Sequence, residues 1–172
     1  MGKGERVQPH EFGEASRLSL RLVLDNIRSG QNVGACFRSA DAFRIDGLDL
    51  CGITCHPPHR DILKSALGAS AHVPWQAHES ALDAVRKLQQ QGFKVAAVEQ
   101  VEESVSLQDW SPAPQERWAL VLGNEVRGVS QEVLQACDVV LEMPQYGVKQ
   151  SINVSVCAGI CLWQAALHMR HT

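Results

Sequence analysis
The sequence predicts an α/β fold, a single domain with a mostly parallel sheet and helices on both faces. Two observations carry this. Short apolar runs alternate along the chain with amphipathic, helix-spaced segments, the order from which parallel sheets are built. Several of the runs, such as Trp118–Leu122 (WALVL), are continuously apolar, as strands buried on both faces are. With 172 residues, 45% hydrophobic and 20% charged, the chain has the size and make-up of one globular domain. Residues 1–17 read as an N-terminal arm and 18–172 as the domain. The net charge of −3 excludes a generally basic, histone-like polyanion binder but leaves room for a local basic face. Residues 1–64 carry nine basic and eight acidic side chains, and residues 65–172 carry seven and eleven, so a polyanion would meet the N-terminal part.

Each element follows from local pattern. Leu18–Leu24 (LSLRLVL) is rich in strand formers and ends at the polar turn Asp25-Asn26. Gln31–Arg44 places Val33, Cys36, Phe37, Ala40 and Phe43 at helical spacing. Leu48–Thr54 is a second strand, and Pro57-Pro58 marks the loop beyond it. Glu79–Gln91 is a helix closed by Gly92, followed by the strand Lys94–Glu99. Trp118–Leu122 is a fourth strand. Ser130–Ala136 is a short helix with Ser130 as its cap, and Val139–Met143 is a strand stopped by Pro144. The last helix, Ser151–His168, is apolar nearly all round, so one sheet face cannot cover it; a subunit interface is the natural second cover, which predicts a homodimer. No apolar run is long enough to span a membrane. The polar first residues lack the apolar core of a signal peptide, so the protein reads as cytoplasmic, with its six cysteines as free thiols.

Three stretches place polar residues where a plain α/β core does not need them. Asn26–Gly34, with Arg38 beyond it, lies at a strand-to-helix junction, where open α/β sheets bind ligands. Arg38 there can clamp a phosphate; it can equally be a surface residue, and Asn32 a helix cap. Gly123-Asn124-Glu125-Val126-Arg127-Gly128 follows the fourth strand directly. Its two glycines allow a sharp turn and close approach of a ligand, although an ordinary β-turn would use the same residues. It is neither a phosphate loop nor a dinucleotide fingerprint. Met143–Ser155 leads into a helix whose first turn carries Ser151, Asn153 and Ser155. Ser151 can be no more than a cap, whereas Asn153, just inside an apolar helix, is not explained by capping.

Together and in this order, the three stretches resemble the three motifs of the TrmH-type family of SPOUT RNA methyltransferases: Asn-x-Gly…Arg, Gly-Asn-Glu…Gly, and Ser-Leu-Asn-Val-Ser with Ile152 in place of Leu. The likeness runs from about residue 18 to residue 168. It implies a C-terminal trefoil knot, S-adenosylmethionine as cofactor, and methyl transfer to a ribose 2′-hydroxyl of tRNA or rRNA. It also implies a homodimer whose sites draw on both subunits. By the same resemblance, Arg38 acts on the ribose hydroxyl, and Asn32 positions this arginine or the RNA backbone. Glu125 and Asn124 form the polar pair of the second motif, and Ser151 and Asn153 that of the third. Leu122, Gly123, Asn124, Met143, Ser151 and Ile152 line the cofactor pocket. The competing reading is a non-catalytic RNA-binding dimer that keeps the fold.

Two further segments carry expectations. Lys64–Ala69 resembles a family segment and is expected to order a substrate-side loop. Cys51, Cys55, His56 and His59 invite a zinc reading, but their spacing is not that of a standard finger and no metal is assigned. With no basic tail, capture of RNA falls to Arg17, Arg21, Arg28, Arg38, Arg44 and Arg60, or to an auxiliary protein.

Overall fold
A computed structural model describes residues 11–12, 14–149 and 151–170. Seven strands form one sheet, every pairing parallel: β1 (Leu18–Asp25), β2 (Ile45–Cys51), β3 (Trp75–His78), β4 (Lys94–Val98), β5 (Val105–Ser106), β6 (Trp118–Leu122) and β7 (Val139–Glu142). Their order is β3-β2-β1-β6-β4-β7-β5. The helices are α1 (Gly30–Phe43), α2 (Arg60–Ala66), α3 (Ala81–Gln90), α4 (Gln131–Ala136) and α5 (Val154–Met169).

The period of two in the strands divides the core into two layers. Leu20, Leu22 and Leu24 of β1, with Leu120 and Leu122 of β6, face α1, α2 and α5. Val23, Ala119, Val121, Val95 and Ala97 face α3 and α4. Helices therefore cover both faces, as predicted. Phe12, from the segment read as an arm, is buried in the first layer and meets the His72 ring at 4.9 Å.

Three elements escape the sequence reading. β3 (WQAH) is a half-exposed edge strand without an apolar run, β5 has only two residues, and α2 is too short to show a period. β2 also starts three residues earlier than predicted and ends three earlier, because Gly52 (φ +62°) turns the chain out of the sheet. A charged group is built into the β1–β2–β3 edge. Asp49, 2% exposed, accepts from Arg21 Nε at 2.7 Å and from His78 Nε2 at 2.7 Å. Arg21 is thereby committed to the fold and is not the RNA-facing arginine the sequence suggested.

The last helix starts three residues later than predicted, at Val154. α5 is buried on one side only. Val156, Ile160, Trp163 and Leu167, spaced 4, 3 and 4 residues apart, form an outer stripe 40–57% exposed. α5 lies beside α1, and the two run parallel: Asn32 bonds Asn153, Ser39 faces Gly159, and the Phe43 and Trp163 rings lie 6.2 Å apart. All six cysteines are free. No helix among the described residues is long and apolar enough to cross a membrane.

Candidate active site
Because every strand is parallel, the strand C-termini share one edge. Leu24, Leu122, Val98 and Leu141 form a single row across β1, β6, β4 and β7. The next residue of each strand, Asp25, Gly123, Glu99 and Glu142, therefore emerges at one level, on the edge where open α/β sheets hold ligands. All three stretches singled out by sequence arrive there.

The second stretch is a tight hairpin on β6. Gly128 N–H donates to the Asn124 carbonyl at 2.8 Å, and a Cβ on Gly123 would lie 2.2 Å from the Gly128 carbonyl carbon. Gly128 itself has φ +66°, which glycine adopts without strain. Asn124 ties this hairpin to β1: its Nδ2 donates to the Asn26 carbonyl at 2.7 Å, while its Oδ1 accepts from Val126 and Arg127 N–H.

Three side chains, one from each stretch, then join in a chain of hydrogen bonds. Asn153 Nδ2 donates to Asn32 Oδ1 at 3.1 Å, and Asn32 Nδ2 donates to Glu125 Oε1 at 3.1 Å. The carboxylate can only accept, so it fixes the orientation of both amides in turn. Asn153 is not inside the last helix, as the sequence suggested, but is its N-cap. Its Oδ1 accepts from Ser155 N–H at 2.8 Å and from Ser155 Oγ at 2.6 Å, leaving its Nδ2 for Asn32. Ser151, the cap candidate, lies in the exposed loop before it.

A cavity of about 780 Å³ opens beside this network. Leu122, Gly123, Asn124, Met143, Ser151 and Ile152, the six residues expected to hold a cofactor, all line it, as do Glu125 and Asn153. Its volume suits a nucleoside-sized ligand. The wall combines apolar side chains, Leu122, Met143, Ile152 and Val154 among them, with the polar Asn124, Glu125 and Asn153. Sequence reasoning missed Val98, Glu99, Gln145 and Cys157 in the wall. Glu99 had a visible signal: a carboxylate ending a buried parallel strand.

Arg38 does not line this cavity. Asn32 stands in the first turn of α1 and not in the loop before it, so Arg38 points about 120° away around the helix and lies about 9 Å further along it. Its side chain is exposed and has no hydrogen-bond or ion-pair partner among the described residues. Ser65, in the Lys64–Ala69 segment, packs on α1: a Cβ on Gly34 would fall 2.0 Å from Ser65 Oγ. This segment thus seats the helix that carries Asn32. The zinc reading finds no centre. Cys51 is buried in β2, the His56 ring stacks on Trp75 and His59 caps α2, and no group of three potential ligands occurs among the described residues.

Beneath the site, burial raises the pKa of Asp25 above the ordinary carboxylate range. Glu132 adds to this, while the hydrogen bonds from Asn26 and the Ser130 backbone oppose it. A raised folded-state pKa means that stability is complete below the unfolded value, about 3.9, and is lost as pH rises through the folded value. Asp25→Asn keeps an acceptor for Asn26 without the charge. It should therefore raise Tm at pH 7, with the gain vanishing below about pH 4; thermal melts across pH check this.

Residues 19–163 match the SpoU rRNA Methylase family. An uncharacterized tRNA/rRNA methyltransferase of Archaeoglobus fulgidus is 36% identical over 148 residues, which cover 84% of this chain and 63% of that protein. The 23S rRNA (guanosine-2′-O-)-methyltransferase RlmB of Vibrio parahaemolyticus is 32% identical over 148 residues, covering 85% of this chain and 58% of that protein. The chain thus spans about 60% of the length of these relatives, 63% and 58% respectively. Among solved structures, the A. aeolicus TrmH/SpoU tRNA modifying enzyme superposes with a TM-score of 0.82 at 26% identity, over 93% of this chain and 80% of that one. The AdoMet-bound rRNA methyltransferase of Sinorhizobium meliloti gives 0.81 at 25% identity, over 91% of this chain and 62% of that one. With the match covering most of its length and all three polar stretches gathered at one sheet edge, the chain belongs to the SpoU rRNA Methylase family.

Proposed function
We propose that the protein is an S-adenosylmethionine-dependent methyltransferase acting on a ribose 2′-hydroxyl of tRNA or rRNA. The observation that carries this reading is the Asn153–Asn32–Glu125 chain of hydrogen bonds at the mouth of a cavity lined by all six expected cofactor residues. A non-catalytic RNA binder has no need for a built nucleoside cavity beside such a network. The names of the relatives, 2′-O-methyltransferases and an AdoMet-bound enzyme among them, support the same chemistry and cofactor.

S-adenosylmethionine, when bound, supplies an electrophilic methyl group on a sulfonium. The chain's own residues do the rest. The 122–129 and 151–154 segments hold the nucleoside, and the network of Glu125, Asn32 and Asn153 fixes the cavity mouth. Arg38 orients the ribose and offsets developing negative charge on its oxygen; a guanidinium keeps its proton near neutrality, so its role is electrostatic. Since Arg38 lies outside its own cavity, we place its action across a dimer interface.

The dimer is proposed on the outer stripe of α5, an apolar surface that water penalises. α1 flanks α5, and Arg38 stands on its exposed surface, open to a site of the other subunit. Residues 18–172 form the methyltransferase domain after an arm of residues 1–17, with the trefoil knot of the family and a cytoplasmic location. RNA is captured by Arg28, Arg38, Arg44 and Arg60, helped by an auxiliary protein where these do not suffice.

Two measurements test the proposal. Titration calorimetry with S-adenosylmethionine should show saturable binding, and mapping 2′-O-methyl positions in RNA from cells lacking the protein should show a site lost. Absence of both refutes it. Trp163→Glu should shift the protein from dimer to monomer in sedimentation velocity and abolish turnover, because each site loses the other subunit's arginine.

A further inference from the structure
We propose that Glu99 is a positioning residue that pins the Gly123–Val129 loop and thereby sets the affinity of the cavity for its nucleoside ligand. The loop leaves β6, whose neighbours in the sheet are β1 on one side and β4 on the other. It is anchored to both. On the β1 side, Asn124 holds the Asn26 carbonyl. On the β4 side the anchor is Glu99, the residue that follows the last of the strand. Its Oε2 accepts from Val129 N–H at 2.9 Å and its Oε1 from Gln100 N–H at 3.0 Å. The carboxylate also occupies the place of a side chain on the loop: a Cβ on Gly128 would come 2.2 Å from Glu99 Oε2. Gly128 is therefore required twice, by its φ of +66° and by the carboxylate beneath it.

Glu99, half-buried, stands in the cavity wall together with the loop it holds, and Val129 is buried, so the bond between them is partly shielded from water. A shielded bond from a backbone N–H to a carboxylate is stronger than a neutral one, and removing the acceptor orphans the N–H. Without it the hairpin loses its anchor on the β4 side and is held only from the β1 side, through Asn124 and through Glu125, which accepts from Asn32 Nδ2 and Arg28 N–H. The Gly128–Val129 end of the loop, which lines the cavity, would then have no hold on β4. What the loop needs from residue 99 is a hydrogen-bond acceptor in that position, not a negative charge. A glutamine supplies one acceptor oxygen for Val129 and can turn its amide toward solvent, where the exposed Gln100 finds water.

This inference rests on the cofactor reading of the cavity, and the experiment separates the two. S-adenosylmethionine and S-adenosylhomocysteine, which lacks the sulfonium charge, are titrated into the wild type, Glu99→Ala and Glu99→Gln. The expected result is a loss of about tenfold in affinity for both ligands in Glu99→Ala, the size of one shielded hydrogen bond. Glu99→Gln should stay within about threefold of wild type for both, with Tm unchanged. In turnover, Glu99→Ala should raise KM for S-adenosylmethionine more than it lowers kcat. Hydrogen exchange at the Val129 amide should quicken in Glu99→Ala and not in Glu99→Gln, a readout that needs no ligand. If Glu99→Ala does not fold, Gly128→Ala displaces the same carboxylate from the other side and should weaken binding likewise. Wild-type affinity in Glu99→Ala overturns the proposal. So does a Glu99→Gln that loses S-adenosylmethionine but not S-adenosylhomocysteine, since that marks a charge acting on the ligand. A wild type that binds neither ligand sinks the cofactor reading, while the Val129 exchange still decides the role of Glu99 in the loop.

Discussion
Arg38→Ala should abolish methyl transfer while leaving S-adenosylmethionine binding within about threefold of wild type, measured by incorporation of labelled methyl groups and by calorimetry. The reason is spatial. Arg38 lies outside the cavity, is exposed, and is bonded to nothing among the described residues, so its removal disturbs neither the Asn153–Asn32–Glu125 network nor the cavity wall. The role proposed for it lies on the substrate side. A group that acts only in the transition state lowers kcat and spares cofactor affinity. The loss of one preorganised charge of this kind costs about 10²–10³ in rate, and more when the same group also orients the substrate. Arg38→Lys should recover little, because an ammonium is a point charge without the planar fork of a guanidinium. Equal turnover by wild type and Arg38→Ala would remove this residue from the mechanism and, with it, the reason for placing the active site across two subunits.

Asp49→Ala should be the most damaging substitution for the fold. Asp49 is 2% exposed and is bonded to both Arg21 and His78. Cutting the carboxylate leaves the Arg21 guanidinium, its side chain only 11% exposed, without its counter-charge, which costs up to about 3–5 kcal/mol. For a chain of this size that corresponds to a fall in Tm of roughly 6–20 °C, read by calorimetry or circular dichroism. The double replacement Arg21→Met with Asp49→Leu should lose much less, since it removes both charges and fills their volume. If Asp49→Ala melts with the wild type, Arg21 has found water and the edge is less closed than its burial indicates.

The contrast between these residues shows how far the chain could be read before its fold was known. The strands of the middle of the sheet and helices α1 and α3 were legible because their apolar spacing is set by burial on a face. The site was legible as residues but not as geometry. Asn32, Glu125 and Asn153 stood out as polar groups in apolar surroundings, yet nothing in their spacing shows that they bond in series, because they meet across 93 and 121 residues of chain. Arg21 and Arg38 looked alike in the sequence, both arginines among apolar neighbours. Only the placement of Asp49 beside one of them separates a structural charge from a free one. Glu99 read simply as the end of a strand, since what it holds lies 30 residues on. The outer stripe of α5 could be inferred to need a cover, but which side of the helix the sheet would take was beyond the periodicity of a segment apolar all round.

The parallel sheet also fixes an order of assembly. β6 is the middle strand of the sheet, and it closes the open edge of β1, pairing Leu120 with Leu22. As the chain is synthesised, β1, β2 and β3 with their helices can dock in sequence, but one edge of β1 stays open until residue 122 has emerged. Closing so long a loop is slow, and an apolar strand left at the edge of a nascent sheet is exposed to wrong partners meanwhile. The hairpin that carries Glu125 grows from the strand that closes this gap, so the edge bearing the candidate site is completed only as the two halves of the sheet join.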